Sequence, residues 1–370
     1  MVNNMSFYDV IKKYEQNSVL ERIQSVSKEE VTRVLSKESF SIDDYFVLIS
    51  PVASGFLEEM ARKAQKITLQ HFGRAMVLYA PLYLANYCVN NCSYCGFNVH
   101  NELDRRKLTM EDLKIEAKAI SQMGIRHILI LTGESRKHSS VEYIKECVKV
   151  ISEYFTSISI EIYPLDEEEY RLLVNNGVDG LTIYQEVYDE DVYKIMHPSG
   201  PKNNYRYRLD TPERGCKSGM RSVGIGALMG LGDWRTEAFY TALHAHYLTS
   251  KYPEVEISLS IPRMRPHTGS FEVPSPVDDR DFVQIMLVAR LFLRHVGITV
   301  STRERSSFRD NLIGLGVTRM SAGSVTEVGG YNKKRGDGQF EISDDRSVEE
   351  IRKMLYNKGF QPVFKDWQYI

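Results

Sequence analysis

Residues 76–85 read MVLYAPLYLA, residues 109–124 read TMEDLKIEAKAISQMG, and residues 126–132 read RHILILT. The first and third are apolar runs of strand length, and the second has an amphipathic helical period. Thr109 supplies an N-cap with Asp112 three residues on, and Gly124 supplies the stop. Two strands joined through a helix lie parallel, because a crossover of this length cannot form a hairpin.

The same unit recurs outward from this segment. Further strands are expected at Ile158–Tyr163, Gly180–Tyr184, Ser222–Leu228, Glu256–Ile261, Ile298–Thr302 and Val317–Ser321. Between them, Ser139 with Glu142 repeats the capping device, Thr211-Pro212 places proline at the first helical position, and 281–297 is a long apolar helix ending in Gly297. Eight strands alternating with helices predict a (β/α)8 TIM-type barrel, a fold whose chemistry sits at the C-terminal ends of the strands. The predicted division is a helical, Lys/Glu-rich extension over 1–70, the barrel over 71–325, and a tail over 326–370. The tail opens on a Gly-rich loop, carries a helix at Ser347–Lys358, and is expected to cover the barrel or bind a partner.

Composition narrows the function classes. The chain has 370 residues, 42% hydrophobic and 26% charged, with 47 Lys+Arg against 49 Asp+Glu. A net charge of −2 without a basic stripe argues against nucleic-acid binding. No window approaches the roughly 18 apolar residues of a membrane span. Met1–Gln16 lacks the layout of a signal peptide, so a cytoplasmic protein is expected.

Of the five cysteines, Cys147 and Cys216 fall in helical segments and read as buried small hydrophobes. The other three, Cys88, Cys92 and Cys95, form a C-x3-C-x2-C loop, YCVNNCSYCGF (87–97), directly after the first strand. Three soft thiolates suit iron–sulfur or zinc. Structural zinc needs four protein ligands, and His100 is the available fourth. A four-iron cluster on three cysteines instead leaves one iron open to a small molecule.

With Tyr94 before the third cysteine, this loop resembles that of the radical S-adenosylmethionine superfamily. There the open iron chelates the amino and carboxylate groups of S-adenosylmethionine, whose cleavage yields a 5′-deoxyadenosyl radical. The likeness continues in LTGE (131–134), 184–215, 223–231, IPRMRP (261–266) and 301–324, spanning roughly residues 70–330. These stretches are similar to those of the 2-iminoacetate synthase family, the tyrosine lyases of thiamine thiazole biosynthesis.

The resemblance assigns candidate roles beside the plain reading of each residue. Cys88, Cys92 and Cys95 would hold the 4Fe-4S cluster, with Tyr94 beside the cofactor. Glu134 ends strand two at the barrel mouth and would take the amino group of S-adenosylmethionine, although Thr132 stands where the family has its first glycine. Gln185 and Glu186 follow strand four and would approach the ribose and methionyl part; by strand alternation one of the two is expected to face solvent. Gly224 and Gly226 in strand five would let adenine approach, or would simply sit at a barrel bend. Arg303 ends strand seven and would hold the substrate carboxylate with its planar fork. Arg305, Arg263 and Arg265 compete for that role. His244 and His246, two apart on a helix, face different sides and are expected in core or solvent.

The implied reaction is radical cleavage of the Cα–Cβ bond of L-tyrosine to p-cresol and 2-iminoacetate. The implied partners are a thiazole synthase and a low-potential electron donor of the flavodoxin or ferredoxin type. The nearest rival is the sister tyrosine lyase of hydrogenase maturation, whose second cluster needs C-terminal cysteines; none follows Cys216 here. Other aromatic-amino-acid lyases of the superfamily stand further off. A zinc or electron-transfer protein is the non-enzymatic rival.

Overall fold

In the computed structural model, which describes residues 5–264, 271–332 and 338–365, the alternation closes into a barrel. The strands are β1 (Ala75–Ala85), β2 (His127–Thr132), β3 (Ser157–Glu161), β4 (Gly180–Glu186), β5 (Ser222–Ala227), β6 (Glu256–Ser260), β7 (Gly297–Val300) and β8 (Arg319–Ser321). All pair in parallel with their sequence neighbours, and β1 pairs with both β2 and β8, so no edge is left in the ring. All eight expected strands are present, with ends shifted by one or two residues.

Alternation along each strand sorts the side chains. Ile128, Ile130, Ile158, Ile160, Val223 and Ile225 point outward under the helices and are buried there. The inward set is unlike the branched aliphatic filling common in such barrels. It holds Tyr79, Tyr83, Leu129, Leu131, Glu161, Tyr184 and Ser260, which line a cavity rather than fill it. Lower down, Arg319 reaches Glu256 at 2.6 Å and His127 meets Ser159 at 3.0 Å.

Three local expectations are corrected. The helix after β2 starts one residue later than read: Ser140, not Ser139, accepts from the Tyr143 amide, and the Ser139 carbonyl is taken by the Tyr163 hydroxyl at 2.5 Å. The helix of 211–217 begins at Thr211 itself, with Asp210 in the cap position. A ninth strand, β9 (Gln361–Val363), adds to the start of β1 through Ala75–Val77. Three residues centred on a proline carry almost no strand signal, and their pairing is purely long-range.

The N-terminal helices pack on the outside of the barrel. Ser6, Ser27 and Ser41 each open a helix with a reciprocal capping box to Asp9, Glu30 and Asp44. Phe7 stacks on His244 with centroids 3.8 Å apart, and the Tyr45 hydroxyl donates to the Ala238 carbonyl at 3.0 Å. Helix Leu57–Phe72 lies against helix Asp279–Phe292, running past the expected boundary at residue 70. Beyond β8, Thr326, Gln339 and Phe340 line the cavity at the mouth. Tyr83 donates to Gln339 at 2.8 Å, Ser343 donates its amide to Thr302, and buried Arg309 pairs with buried Asp344. Among the described residues, no helix is long and apolar enough to cross a membrane.

Candidate active site

The cysteine loop leaves β1 at the C-terminal end of the barrel and is held by backbone contacts on both sides. Val89 donates its amide to the Glu134 carbonyl at 2.9 Å, and Ser93 donates to Met196 at 3.0 Å. Arg105 closes the far side, donating to the carbonyls of Asn86 (2.7 Å), Phe97 (3.0 Å) and Asn98 (2.6 Å). Gly133 of LTGE is forced by contact with this loop, since a Cβ there would lie 2.4 Å from the Tyr87 carbonyl oxygen. Thr132, in place of a glycine, is the last residue of β2, and its buried hydroxyl has no hydrogen-bond partner among the described residues.

Cys92 is buried, and Cys88 and Cys95 are half-buried, with Cys95 facing the central cavity. Burial pushes Cys92 up to about 12 and raises Cys95, so these thiols ionise only with a cation to receive them. The donor set fits a four-iron cluster: three soft sulfurs on one loop, one of them opening onto the cavity, and Cys147 and Cys216 buried in helices. Among the described residues, no three His, Cys, Asp or Glu side chains converge as ligands of a single ion would. His100, needed for the zinc reading, is exposed on the loop.

The cavity, about 980 Å3 including solvent at its opening, is lined by aromatic, charged and hydroxyl side chains. One wall is the C-terminal end of β4, which runs two residues further than expected and so includes Gln185 and Glu186. A bulge at Tyr184/Glu186 puts Glu186 at φ 71°, the only described non-glycine residue on the left-handed side. This corrects the expectation that one of Gln185 and Glu186 faces solvent: both are buried. Glu186 turns to the cavity, where Lys202 reaches it at 2.7 Å and Arg208 at 3.3 Å. Burial alone would raise its carboxyl, but the two cations outweigh that and hold it below the usual range. Gln185 does not line the cavity, and its amide has no hydrogen-bond partner among the described residues.

Glu134 accepts from the Asn90 side chain at 2.6 Å and lines a neighbouring cavity with Lys202 and Arg208. Tyr94 puts its ring on the central cavity, but its hydroxyl is engaged elsewhere. The His197 Nδ1–H donates to the Tyr193 carbonyl at 2.8 Å, so Nε2 accepts the Tyr94 hydroxyl at 2.8 Å. Burial and the Lys202 charge lower His197 to about 3, keeping the imidazole neutral. Gly224 and Gly226 face inward, and barrel packing accounts for both. A Cβ at Gly226 would sit 2.3 Å from the Ser260 carbonyl oxygen, and one at Gly224 would press on Ser258 and Thr182.

Of the competing arginines that are described, Arg303 alone lines the cavity, its guanidinium 3.5 Å from the Phe340 ring centroid. Arg263 is bound to Glu304 and, at 2.7 Å, to Asp279, while exposed Arg305 pairs with Asp279 from outside. Arg265 lies outside the described residues. His244 is core and His246 is exposed, as expected.

Glu161, Lys202, Arg208 and His197 escaped the sequence reading. Glu161 ends an apolar strand, the signal that singled out Glu134. The other three lie in the 184–215 stretch, where nothing in spacing marks them out from surface charges.

The family comparisons agree with this geometry. Residues 82–242 match the radical SAM superfamily, and residues 260–361 match the Biotin and Thiamin Synthesis associated domain. The chain is 38% identical to 2-iminoacetate synthase of Escherichia coli (strain K12), covering 98% of this chain and 97% of that protein. It is similar in structure to the FeFe-hydrogenase maturase HydG from Carboxydothermus hydrogenoformans, at TM-score 0.84 and 34% identity, over 96% of this chain and 82% of that one. Methylornithine synthase (PylB) shares the fold, at TM-score 0.74 and 20% identity over 90% of this chain and 97% of that one.

Proposed function

The chain belongs to the 2-iminoacetate synthase family of radical S-adenosylmethionine enzymes, and from that membership we propose that it cleaves the Cα–Cβ bond of L-tyrosine, releasing p-cresol and 2-iminoacetate for the thiazole of thiamine. It is a carbon–carbon lyase using a 4Fe-4S cluster and S-adenosylmethionine. When bound, that pair supplies a one-electron cleavage that generates a 5′-deoxyadenosyl radical.

The observation that carries the reading is the shared cavity: Cys95, Glu186 and Arg303 line one space at the C-terminal end of the barrel. Cys88, Cys92 and Cys95 would hold the cluster. Glu134, Glu186, Lys202 and Arg208 form a compact group of both signs beside it, suited to the zwitterionic methionyl end of the cofactor. Arg303 would hold the substrate carboxylate by two parallel hydrogen bonds. Thr326, Gln339 and Phe340, from beyond β8, would keep water from the reacting centre. Because 2-iminoacetate hydrolyses readily, direct transfer to a thiazole synthase is part of the proposal. So are a flavodoxin or ferredoxin as electron donor and a cytoplasmic location.

Reconstituted enzyme given tyrosine, S-adenosylmethionine and a low-potential reductant should release p-cresol and glyoxylate, the hydrolysis product of 2-iminoacetate. The likeness to the hydrogenase maturase favours a second reading, in which p-cresol is released with cyanide and carbon monoxide in place of glyoxylate. Stoichiometric cyanide in that assay would replace the first reading by the second.

A further inference from the structure

Glu161 is the last residue of β3, at the same level of the barrel as Leu131 of β2, and its side chain enters the central cavity. Among the described residues, no side chain hydrogen-bonds or ion-pairs with its carboxylate, in contrast to Glu186 across the same space. The groups that act on it come from every neighbouring wall: Tyr79 and Tyr83 on β1, Tyr184 and Glu186 on β4, Lys202 and Arg208 beyond β4, and Arg303 after β7. A lone carboxylate in an aromatic-lined cavity costs free energy unless a cation occupies the space before it.

We propose that Glu161 is a substrate-binding residue whose carboxylate takes the α-ammonium of the amino acid whose carboxylate Arg303 takes. The proposal rests on the tyrosine-lyase reading and adds the second half of a zwitterion clamp. One anion and one cation, on β3 and after β7, would fix both ends of the amino-acid backbone and so decide which N–H faces the cofactor. The three tyrosines Tyr79, Tyr83 and Tyr184 would flank the substrate's ring. Burial, with Glu186 adding to it, lifts the Glu161 carboxyl to about 7 against the pull of Arg303, Arg208 and Lys202. Protonation below that point would remove the ammonium's partner.

The test is binding without reductant, to cluster-reconstituted enzyme with S-adenosylmethionine, of L-tyrosine, its desamino analogue 3-(4-hydroxyphenyl)propanoate, and its decarboxylated analogue tyramine. Glu161→Gln should weaken L-tyrosine and tyramine by about ten-fold or more, as expected for loss of a charge-assisted hydrogen bond, and leave the desamino analogue unchanged. Arg303→Ala should weaken tyrosine and the desamino analogue but spare tyramine. Equal losses for tyrosine and the desamino analogue in Glu161→Gln would overturn the assignment. Should that variant not fold, the wild type decides. Its tyrosine affinity should fall as pH drops through about 7 while that for the desamino analogue does not, and parallel pH curves would refute the role. A wild type that forms no p-cresol defeats the lyase reading itself. A wild type that forms it, with unchanged tyrosine binding in Glu161→Gln, defeats only this inference.

Discussion

Glu161 carries a stability signature as well as a binding one. Its carboxyl titrates near 7 in the folded protein and near the ordinary glutamate value when unfolded. Between those two points the folded state holds a proton that the unfolded state has released, so stability falls as pH rises through the window. Glu161→Gln should therefore raise the melting temperature at about pH 8 and leave it unchanged at about pH 4; melts at the two pH values check this. Arg303→Lys keeps the charge but loses the fork. The expected result is S-adenosylmethionine cleavage without matching p-cresol, read as a raised ratio of 5′-deoxyadenosine to p-cresol with normal cluster content. For the cysteines, alanine at Cys88, Cys92 or Cys95 should abolish bound iron and sulfide. Cys147→Ala and Cys216→Ala, both in buried helix faces, should leave iron and sulfide content intact. Iron and sulfide analysis of anaerobically purified variants separates the two groups.

At the scale of elements, the segment beyond β8 is held by the β9–β1 pairing, by the buried face of helix Val348–Asn357 and by an ionic knot. Arg309 in helix Ser306–Leu312 pairs with Asp344, both side chains fully buried, and also donates to the Ser321 carbonyl at the end of β8. Arg346 supports Asp344 at 2.7 Å and reaches Asp310 at 2.9 Å. Removing one member of an isolated buried pair costs about 3–5 kcal/mol, an upper bound here because Arg346 still partners Asp344. Arg309→Met should lose a measurable part of that in chemical denaturation and should also speed proteolysis after residue 325. The second effect follows because Asp344 tethers Gln339 and Phe340 over the cavity. Helix starts such as Thr109 and Ser347 were legible as elements because a cap is a local contact. The shift from Ser139 to Ser140 was not, since the Tyr163 hydroxyl, two residues beyond β3, claims the Ser139 carbonyl.

Over the whole molecule, the N-terminal helices are bound to the barrel by aromatic contacts far apart in sequence. Phe7 is buried between His244, Tyr188 and Tyr247. Phe7→Ala should cost about 3–5 kcal/mol, seen as a lowered urea midpoint with an unchanged slope if the helices unfold with the barrel. A flattened slope would mean that they unfold separately. The ring of eight strands was readable from the chain because each strand–helix pair carries its own periodicity and caps, and because right-handed parallel crossovers leave little choice of assembly. The cysteine loop was readable because its ligands lie within eight residues of one another. What faces the cavity was not. Burial of Gln185 and Glu186 depends on a bulge against β5, and the fates of Arg263 and Arg305 depend on Glu304 and Asp279. The place of Glu161 opposite Arg303 depends on ring closure between strands about 140 residues apart. Periodicity and caps act over one or two turns of chain and so are written in it. Which charge meets which across the barrel is settled by contacts the chain cannot express until it has closed.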